Sequence, residues 1–199
     1  MWLRAGNVLV VYVDSGSVRS YKGLVMKLAV VRDNFLNPWD ASNYYGVVEH
    51  GVELLLCGTT EGPDWATIAE VCPKAKLLEY HNPWEVLEAE PDVIDVPDPF
   101  YDFSQYYVAR HDKTVVVGWE TLPGKAMATK GALGCIQSAW KFTAHSELAK
   151  ATLGLDGAVP DKVRVIPGAV NTDIFTPGGG YYEREAVVLF VGRDAAEKG

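Results

Sequence analysis

The chain has 199 residues, 48% of them hydrophobic, which is enough to bury one sizeable core. Its formal net charge of −8 argues against nucleic acid as a partner, because a phosphate backbone needs Lys and Arg. The charge argues more weakly against an anionic membrane, so peripheral membrane contact stays open, and no apolar run approaches the roughly 20 residues that span a bilayer.

The cysteines and histidines predict neither disulfides nor a metal site. Cys57, Cys72 and Cys135 lie far apart and form no CxxC pair, and the four histidines do not cluster. An odd number of cysteines excludes a complete disulfide framework and favours a reducing compartment. We therefore expect a cytoplasmic protein without a structural zinc site.

Residues 1–25 precede a second possible start at Met26. Met26 opens MKLAVVRDN, and the segments SGS and YKG before it are turn-like. We expect residues 1–25 to be an upstream extension of the domain. The alternative is an extra edge strand at Val8–Val13.

From Met26 onward, short apolar runs alternate with helical stretches. Several of the runs are continuously apolar, as strands buried on both faces should be. The predicted strands are Lys27–Val31, Glu53–Cys57, Lys76–Glu79, Val93–Val96, Thr114–Gly118, Lys141–Ala144, Val163–Ile166 and Val187–Val191. The helices predicted between them are Asp40–His50, Asp64–Val71, Ser104–Arg110, Lys130–Ala139 and Ser146–Leu153.

This alternation predicts an α/β fold, a Rossmann-like parallel sheet with helices on both faces. Three of the helices begin with residues typical of an N-cap, namely Asp40, Ser104 and Ser146. Sheets of this kind bind ligands beyond the carboxyl ends of their strands. The loops after the first, fourth and fifth predicted strands are therefore the places to look for a site.

A change in composition near the end of the chain predicts a domain boundary. The segment TPGGGYYERE, Thr176–Glu185, combines Pro, three glycines and charges, which is typical of a linker. A new strand pattern follows it. We predict an N-terminal domain over residues 26–176, a linker over 177–186, and the first strand and loop of a second domain over 187–199.

Two motifs flank this linker. The first is VRVIPGAVNTDIFTP, which starts at Val163, and the second is VVLFVGRDAAEKG, which starts at Val187. In this order and at this spacing they resemble the retaining glycosyltransferases of family four, and EPDVIDVPDP and FTAHSELAK resemble earlier segments of that family. The resemblance covers roughly residues 26–199. The matching positions are Pro167, Val170, Thr172, Asp173, Phe175, Pro177, Gly192, Arg193, Lys198 and Gly199.

The resemblance implies two Rossmann-like domains that face each other across a cleft, the GT-B fold. The C-terminal domain would hold a nucleotide-diphosphate sugar as donor substrate, with no separate cofactor. The N-terminal domain would hold the acceptor, which is a glycan, a lipid or a small molecule, and transfer would retain the anomeric configuration. Gly192, Arg193 and Lys198 would bind the donor diphosphate, because the leaving group gains negative charge that fixed cations stabilise.

The sequence departs from the family pattern at several positions. Gly168 and Ala169 replace Asn-Gly, and Asp95 and Glu120 stand near positions where many members have His. The loop after the first strand lacks the paired glycines that many members use near the donor phosphates. Because of these differences, the acceptor-binding and catalytic roles of the family are not carried over to this chain by position alone.

The loop after the first strand supplies three candidate acceptor-binding residues. Asn34 and Asn37 offer amide hydrogen bonds, and Phe35 offers a flat apolar face. Sugars bind to such mixtures, with aromatic faces against C–H groups and amides against hydroxyls. The alternative is an ordinary packed loop.

Acidic residues near two later strand ends supply the remaining candidates. Asp95 and Asp98 lie around the end of the fourth strand, where they could bind acceptor hydroxyls or act as caps and turn residues. Glu120 lies just past the fifth strand and is the one catalytic candidate, because a carboxylate there could orient the acceptor.

Two other functions remain open at this point. One is a sugar-nucleotide epimerase of the same two-domain fold, and the other is a doubly wound ligand-binding module without catalysis. The sequence ends within the second motif, which would form only half of a phosphate loop. We therefore expect these residues alone to have no transferase activity.

Overall fold

In a computed structural model of the chain, the described residues are 26–110, 115–119 and 130–167. They contain seven strands in one parallel sheet, ordered β3-β2-β1-β4-β5-β6-β7. The strands are β1 (Lys27–Val31), β2 (Glu53–Thr59), β3 (Lys76–Tyr80), β4 (Val93–Val96), β5 (Val115–Trp119), β6 (Lys141–Ala144) and β7 (Val163–Val165).

Helices connect the strands. The described α-helices are α1 (Pro38–Glu49), α2 (Trp65–Val71), α3 (Trp84–Glu88), α4 (Asp102–Arg110), α5 (Lys130–Ser138) and α6 (Glu147–Leu155), with 3₁₀ turns at Asp33–Phe35 and Pro160–Lys162. Among the described residues, none of these helices has the length and apolar character needed to cross a membrane.

Alternate residues of the central strands point to opposite faces of the sheet, and helices cover both faces. Ala29 and Val31 belong to a core built with α3, α4, α5 and α6, whereas Leu28 and Val30 belong to a second core built with α1 and α2. Burial on both faces explains why Leu28–Val31 of β1 are continuously apolar in sequence. The predicted Rossmann-like α/β fold is confirmed.

The seven predicted strands up to Ile166 are confirmed, with ends that agree within two residues. The predicted strand Val187–Val191 and the alternative strand Val8–Val13 lie outside the described residues. So do the extension at 1–25, the linker at 177–186 and the second-domain start at 187–199.

Two of the three predicted helix starts are wrong. Helix α1 begins at Pro38 because the side-chain oxygen of Asn37 accepts from the backbone N–H groups of Trp39 (2.9 Å) and Asp40 (3.1 Å), which makes Asn37 the N-cap. Helix α4 begins at Asp102, so Ser104 lies buried within its first turn. The third start is confirmed, since the Ser146 hydroxyl accepts from the backbone N–H of Ala149 at 3.1 Å.

Helix α3 was not predicted from the sequence. Its five residues, WEVLE, are too few to show a helical period. A capping interaction supports it, since a side-chain oxygen of Glu85 accepts from the backbone N–H of Asn82 at 3.0 Å. The helix fixes the chain that follows β3, next to the site described below.

Gly58 in β2 allows the 3₁₀ turn after β1 to pack closely against the sheet. A Cβ atom built on Gly58 would lie 2.9 Å from Cγ of Pro63 and 3.0 Å from the carbonyl oxygen of Asp33. Both distances are shorter than normal contacts between such atoms, so a side chain at this position would push the turn away.

We expect Gly58→Ala to lower the free energy of unfolding by about 1–3 kcal/mol, because an extra methyl group overpacks this contact. Gly134→Ala on α5 is the control, because no atom outside the local backbone of that helix lies within 4 Å of its built Cβ. Its effect should be neutral or stabilising by up to about 1 kcal/mol, since Ala favours helix over Gly. Urea unfolding measures both, and equal stabilities of the two variants would contradict the close contact.

Candidate functional site

The order of the strands reverses between β1 and β4. The candidate site lies at the carboxyl ends of the strands, beside β1, β2 and β3. The chain leaves β1 toward helices on one face and leaves β4 toward helices on the other. The two loops therefore diverge and leave room between them, which is where doubly wound sheets bind ligands.

A buried ion pair holds the start of both loops. Nη2 of Arg32 donates to Oδ1 of Asp95 at 2.6 Å and to the hydroxyl of Tyr44 at 2.7 Å. The Tyr44 hydroxyl in turn donates to the same Asp95 oxygen at 2.9 Å. Nη1 of Arg32 donates to the carbonyl oxygens of Val31 (3.0 Å) and Asp95 (3.2 Å). The network therefore joins the end of β1 to β4 and to α1.

The charges within this network balance one another. Burial alone would lower the pKa of Arg32, but the interactions with Tyr44, Asp95 and Asp40 outweigh it and raise the pKa above its ordinary value. Burial also raises the pKa of Tyr44 well above its usual range. Arg32 therefore stays a cation and Tyr44 a neutral donor, as the hydrogen bonds require.

A cleft of about 460 Å³ opens beside this network. Its walls come from the turn after β1, the ends of β2 and β3, and the beginning of α4. The lining residues are Asp33, Phe35, Thr59, Tyr80, His81, Pro83, Tyr101, Asp102, Phe103 and Tyr106.

Three aromatic rings form one wall of the cleft. The centroids of Phe35 and Tyr101 are 5.3 Å apart with a 48° angle between the planes, and those of Tyr101 and Phe103 are 5.4 Å apart with a 24° angle. Phe35 is 52% exposed, so part of its apolar surface is available to a ligand. Aromatic faces of this kind suit ligands that present C–H groups together with polar groups.

A carboxylate stands in the same cleft. Asp33 has φ 55°, in the left-handed region that few residues other than Gly adopt, and its Oδ1 accepts from the hydroxyl of the buried Tyr80 at 3.2 Å. Burial raises the pKa of the Tyr80 phenol well above its usual range, which keeps the phenol protonated as a donor. Gly62, with φ 109°, lies under the turn, where a Cβ would meet the Asn34 carbonyl oxygen.

The edge of the cleft at β3 is also polar. Nδ1 of His81 lies 3.1 Å from the hydroxyl of Thr60, and the Tyr107 hydroxyl donates to the carbonyl oxygen of Pro83 at 3.0 Å. Among the described residues, no group of three or more His, Cys, Asp or Glu side chains is placed to hold a metal ion. Hydrogen bonding, aromatic stacking and charge pairing with carboxylates are chemistry that the described lining offers.

The five predicted acceptor-binding residues in the described part of the chain lie in different places. Phe35 lines the cleft, and Asn34 is exposed on the neighbouring turn. The Asn37 side chain caps α1 and also donates to the Phe35 carbonyl oxygen at 3.0 Å. Asp95 is buried in the Arg32 network, and the Asp98 carbonyl oxygen accepts from the Tyr101 backbone N–H at 3.4 Å just before α4. Ligand binding by these residues stays a prediction.

The remaining predicted residues lie outside the described part of the chain. They are the catalytic candidate Glu120 and the diphosphate-binding candidates Gly192, Arg193 and Lys198.

Sequence reasoning missed most of the cleft. It considered the loops after β1, β4 and β5, but the ends of β2 and β3 supply Thr59, Tyr80 and His81. Phe103 and Tyr106 of α4 also line the cleft and were not among the predicted site residues; Phe103 is at the same time part of the core, with Tyr106 packed against it. The sequence does contain a signal for His81, because this residue comes just after the predicted strand β3 and therefore lies at the carboxyl edge of the sheet.

Comparison with known proteins shows the fold and no more. No protein-family model and no curated protein sequence matches the chain. A candidate UDP-N-acetylglucosamine 2-epimerase from Listeria monocytogenes shares 13% identity and a TM-score of 0.52, covering 70% of this chain and 44% of its own. The apo lipopolysaccharide outer core galactosyltransferase WaaB shares 17% identity and a TM-score of 0.50, covering 73% and 46%.

The chain therefore spans less than half the length of these two structures. Their shared feature with this chain is the Rossmann-like α/β sheet, built here from seven parallel strands with helices around it.

We expect Arg32→Met to lower the free energy of unfolding by about 3–5 kcal/mol, because it leaves the buried Asp95 carboxylate without its cation. Lys76→Met is the matched control: its ion pair with Glu53, at 2.9 Å, involves a Lys side chain that is 67% exposed, so its loss should matter little. Urea unfolding of the two variants measures the difference. An Arg32→Met variant as stable as Lys76→Met would show that the buried pair does not hold the loops.

Proposed function

We propose that this chain forms the acceptor-binding domain of an enzyme that transfers a sugar from a nucleotide-diphosphate sugar to an acceptor, with retention of configuration. The acceptor would be a glycan, a lipid-linked sugar or a small molecule. The observation that supports this most is the cleft at the carboxyl edge of the sheet, where an aromatic wall faces a fixed carboxylate.

The cleft offers both kinds of contact that a sugar needs. The rings of Phe35 and Tyr101 present apolar faces for the C–H groups of a pyranose. The Asp33 carboxylate, held by Tyr80, can accept a hydrogen bond from a sugar hydroxyl, and such charge-assisted bonds fix orientation. A hydroxyl held in place in this way is positioned for attack on a donor sugar.

The donor side of the proposal depends on the resemblance to the family-four glycosyltransferases. Arg193 and Lys198 would stabilise the charge that develops on the departing diphosphate, with Gly192 allowing close backbone approach. Glu120 would help to orient the acceptor. These roles are proposals, as are the substrates of the whole protein.

An epimerase acting on a sugar nucleotide is the second candidate function. The similarity in fold to a candidate UDP-N-acetylglucosamine 2-epimerase supports it. The chemistry of the cleft favours the first candidate, since none of the described lining residues is Lys or Arg and a nucleotide diphosphate carries negative charge. The two functions therefore differ in what should enter the cleft.

Saturation-transfer NMR on the chain tests the proposal with free sugars and with UDP-N-acetylglucosamine as separate ligands. We expect a neutral monosaccharide such as glucose to bind, with millimolar affinity, and Phe35→Ala to weaken this binding at least about threefold by removing a stacking face. Leu155→Ala is the control, because Leu155 is 78% exposed at the end of α6, far along the chain from the cleft.

Three outcomes would decide between the alternatives. Binding of free sugars that is sensitive to Phe35→Ala supports an acceptor domain. Binding of UDP-N-acetylglucosamine alone, with the same sensitivity, supports the epimerase. No sugar binding, or binding that Phe35→Ala leaves unchanged, would contradict the assignment of the cleft.

A further inference from the structure

The charges around the cleft are unequal. Two carboxylates line it, Asp33 and Asp102, and none of the described lining residues is Lys or Arg. Arg32, the residue before Asp33, is paired with Asp95, and the guanidinium of Arg110 packs 5.4 Å from the centroid of the Tyr106 ring. Apart from His81, the charged side chains of the described lining are acidic, which favours positive over negative charge in a ligand.

The Asp33 carboxylate stands on a residue with a left-handed backbone conformation. A left-handed backbone costs an L residue of order 1 kcal/mol, and Gly would adopt it freely. The turn is nevertheless fixed, since it packs against Gly58 and Gly62 and the Tyr80 hydroxyl donates to the side chain. The Asp33 carboxylate is therefore held in a defined position at the cleft.

The carboxylate of Asp102 weakens the attraction that the start of α4 would have for an anion. The amino end of α4 begins at Asp102 and, like any helix start, carries partial positive charge. Asp102 lies in that first turn, so its own carboxylate already balances the helix dipole. The aromatic rings add to the preference, because the faces of Phe35 and Tyr101 attract cations as well as C–H groups.

We propose that the cleft selects a sugar that carries a protonated amino group, in preference to neutral or phosphorylated sugars. The ammonium group would pair with the carboxylates of Asp33 and Asp102 while the sugar ring packs on the aromatic wall. This inference rests on the proposed acceptor function and names the class of acceptor.

NMR titration of the chain with four probes at pH 7 tests the preference: glucose, glucosamine, 6-amino-6-deoxyglucose and glucose 6-phosphate. The tighter of the two amino sugars should bind about tenfold more strongly than glucose, since charge-assisted hydrogen bonds are roughly twice as strong as neutral ones. Glucose 6-phosphate should bind more weakly than glucose.

The combined variant Asp33→Asn and Asp102→Asn should reduce the preference for the amino sugar over glucose to about twofold or less. An amide oxygen can still accept from a neutral hydroxyl but cannot pair with an ammonium group as a carboxylate does, so binding of the amino sugar should weaken more than binding of glucose. Asn also tolerates a left-handed backbone and can accept from Tyr80, so the fold should survive. Asp161→Asn is the control for the loss of a carboxylate elsewhere. Asp161 lies in the turn before β7, at the opposite edge of the sheet, so its replacement should leave the preference intact.

Each result bears on a definite part of the account. A preference for amino sugars that is lost in the double variant and kept in Asp161→Asn supports the inference. Equal binding of glucose and both amino sugars, tighter binding of glucose 6-phosphate, or a preference that survives the double variant overturns it while leaving the acceptor function standing. Absence of binding by all four sugars overturns both.

Discussion

The pairing of Arg32 with Asp95 is the interaction on which the site depends. The sheet order reverses between β1 and β4, so the two loops that leave these strands turn to opposite faces. The gap that results would leave strand-end carbonyl groups without partners at the edge of the sheet. Arg32 fills it with a cation that donates to the carbonyl oxygens of Val31 and Asp95 and to the Asp95 carboxylate. The direction in which the chain leaves β1 is thereby set.

The cleft follows from that direction. Asp33 comes directly after Arg32, and close packing against two glycines of the β2 region leaves its turn little freedom. Asp95 and Asp33, two acidic residues near this switch point, consequently have different roles. Asp95 is buried and neutralises Arg32, whereas Asp33 faces the cleft with one hydrogen bond from Tyr80. Charge that is paired inside the protein supports the structure, and charge that faces the cleft is available to a ligand.

Much of the fold could be predicted from the sequence, because strands buried on both faces are continuously apolar and end at polar or turn residues. The run at Leu28–Val31 in β1 was found in this way. Helix starts were harder, because Asn37 and Asp40 are both good caps and only the backbone geometry decides between them. Helix α3 was too short to give a periodic signal.

The site was predicted less well than the fold. Phe35 was identified because it follows a strand end, but Tyr80, His81 and Tyr101 come together only when β3 and α4 pack beside the turn after β1. Such contacts join residues far apart in sequence, and a single sequence contains no signal of them. The assignment of Asp95 to a ligand likewise could not take account of Arg32, whose partner is fixed by the strand order.

The central claim is that this cleft, at the carboxyl ends of β1, β2 and β3, is where the chain binds its ligand. A crystal structure of the chain soaked with glucosamine tests it most directly. We predict density for a sugar ring against Phe35 and Tyr101, with the amino group within hydrogen-bonding distance of Asp33 or Asp102. A sugar bound at another edge of the sheet, or a cleft closed by its own side chains in the crystal, would contradict the account.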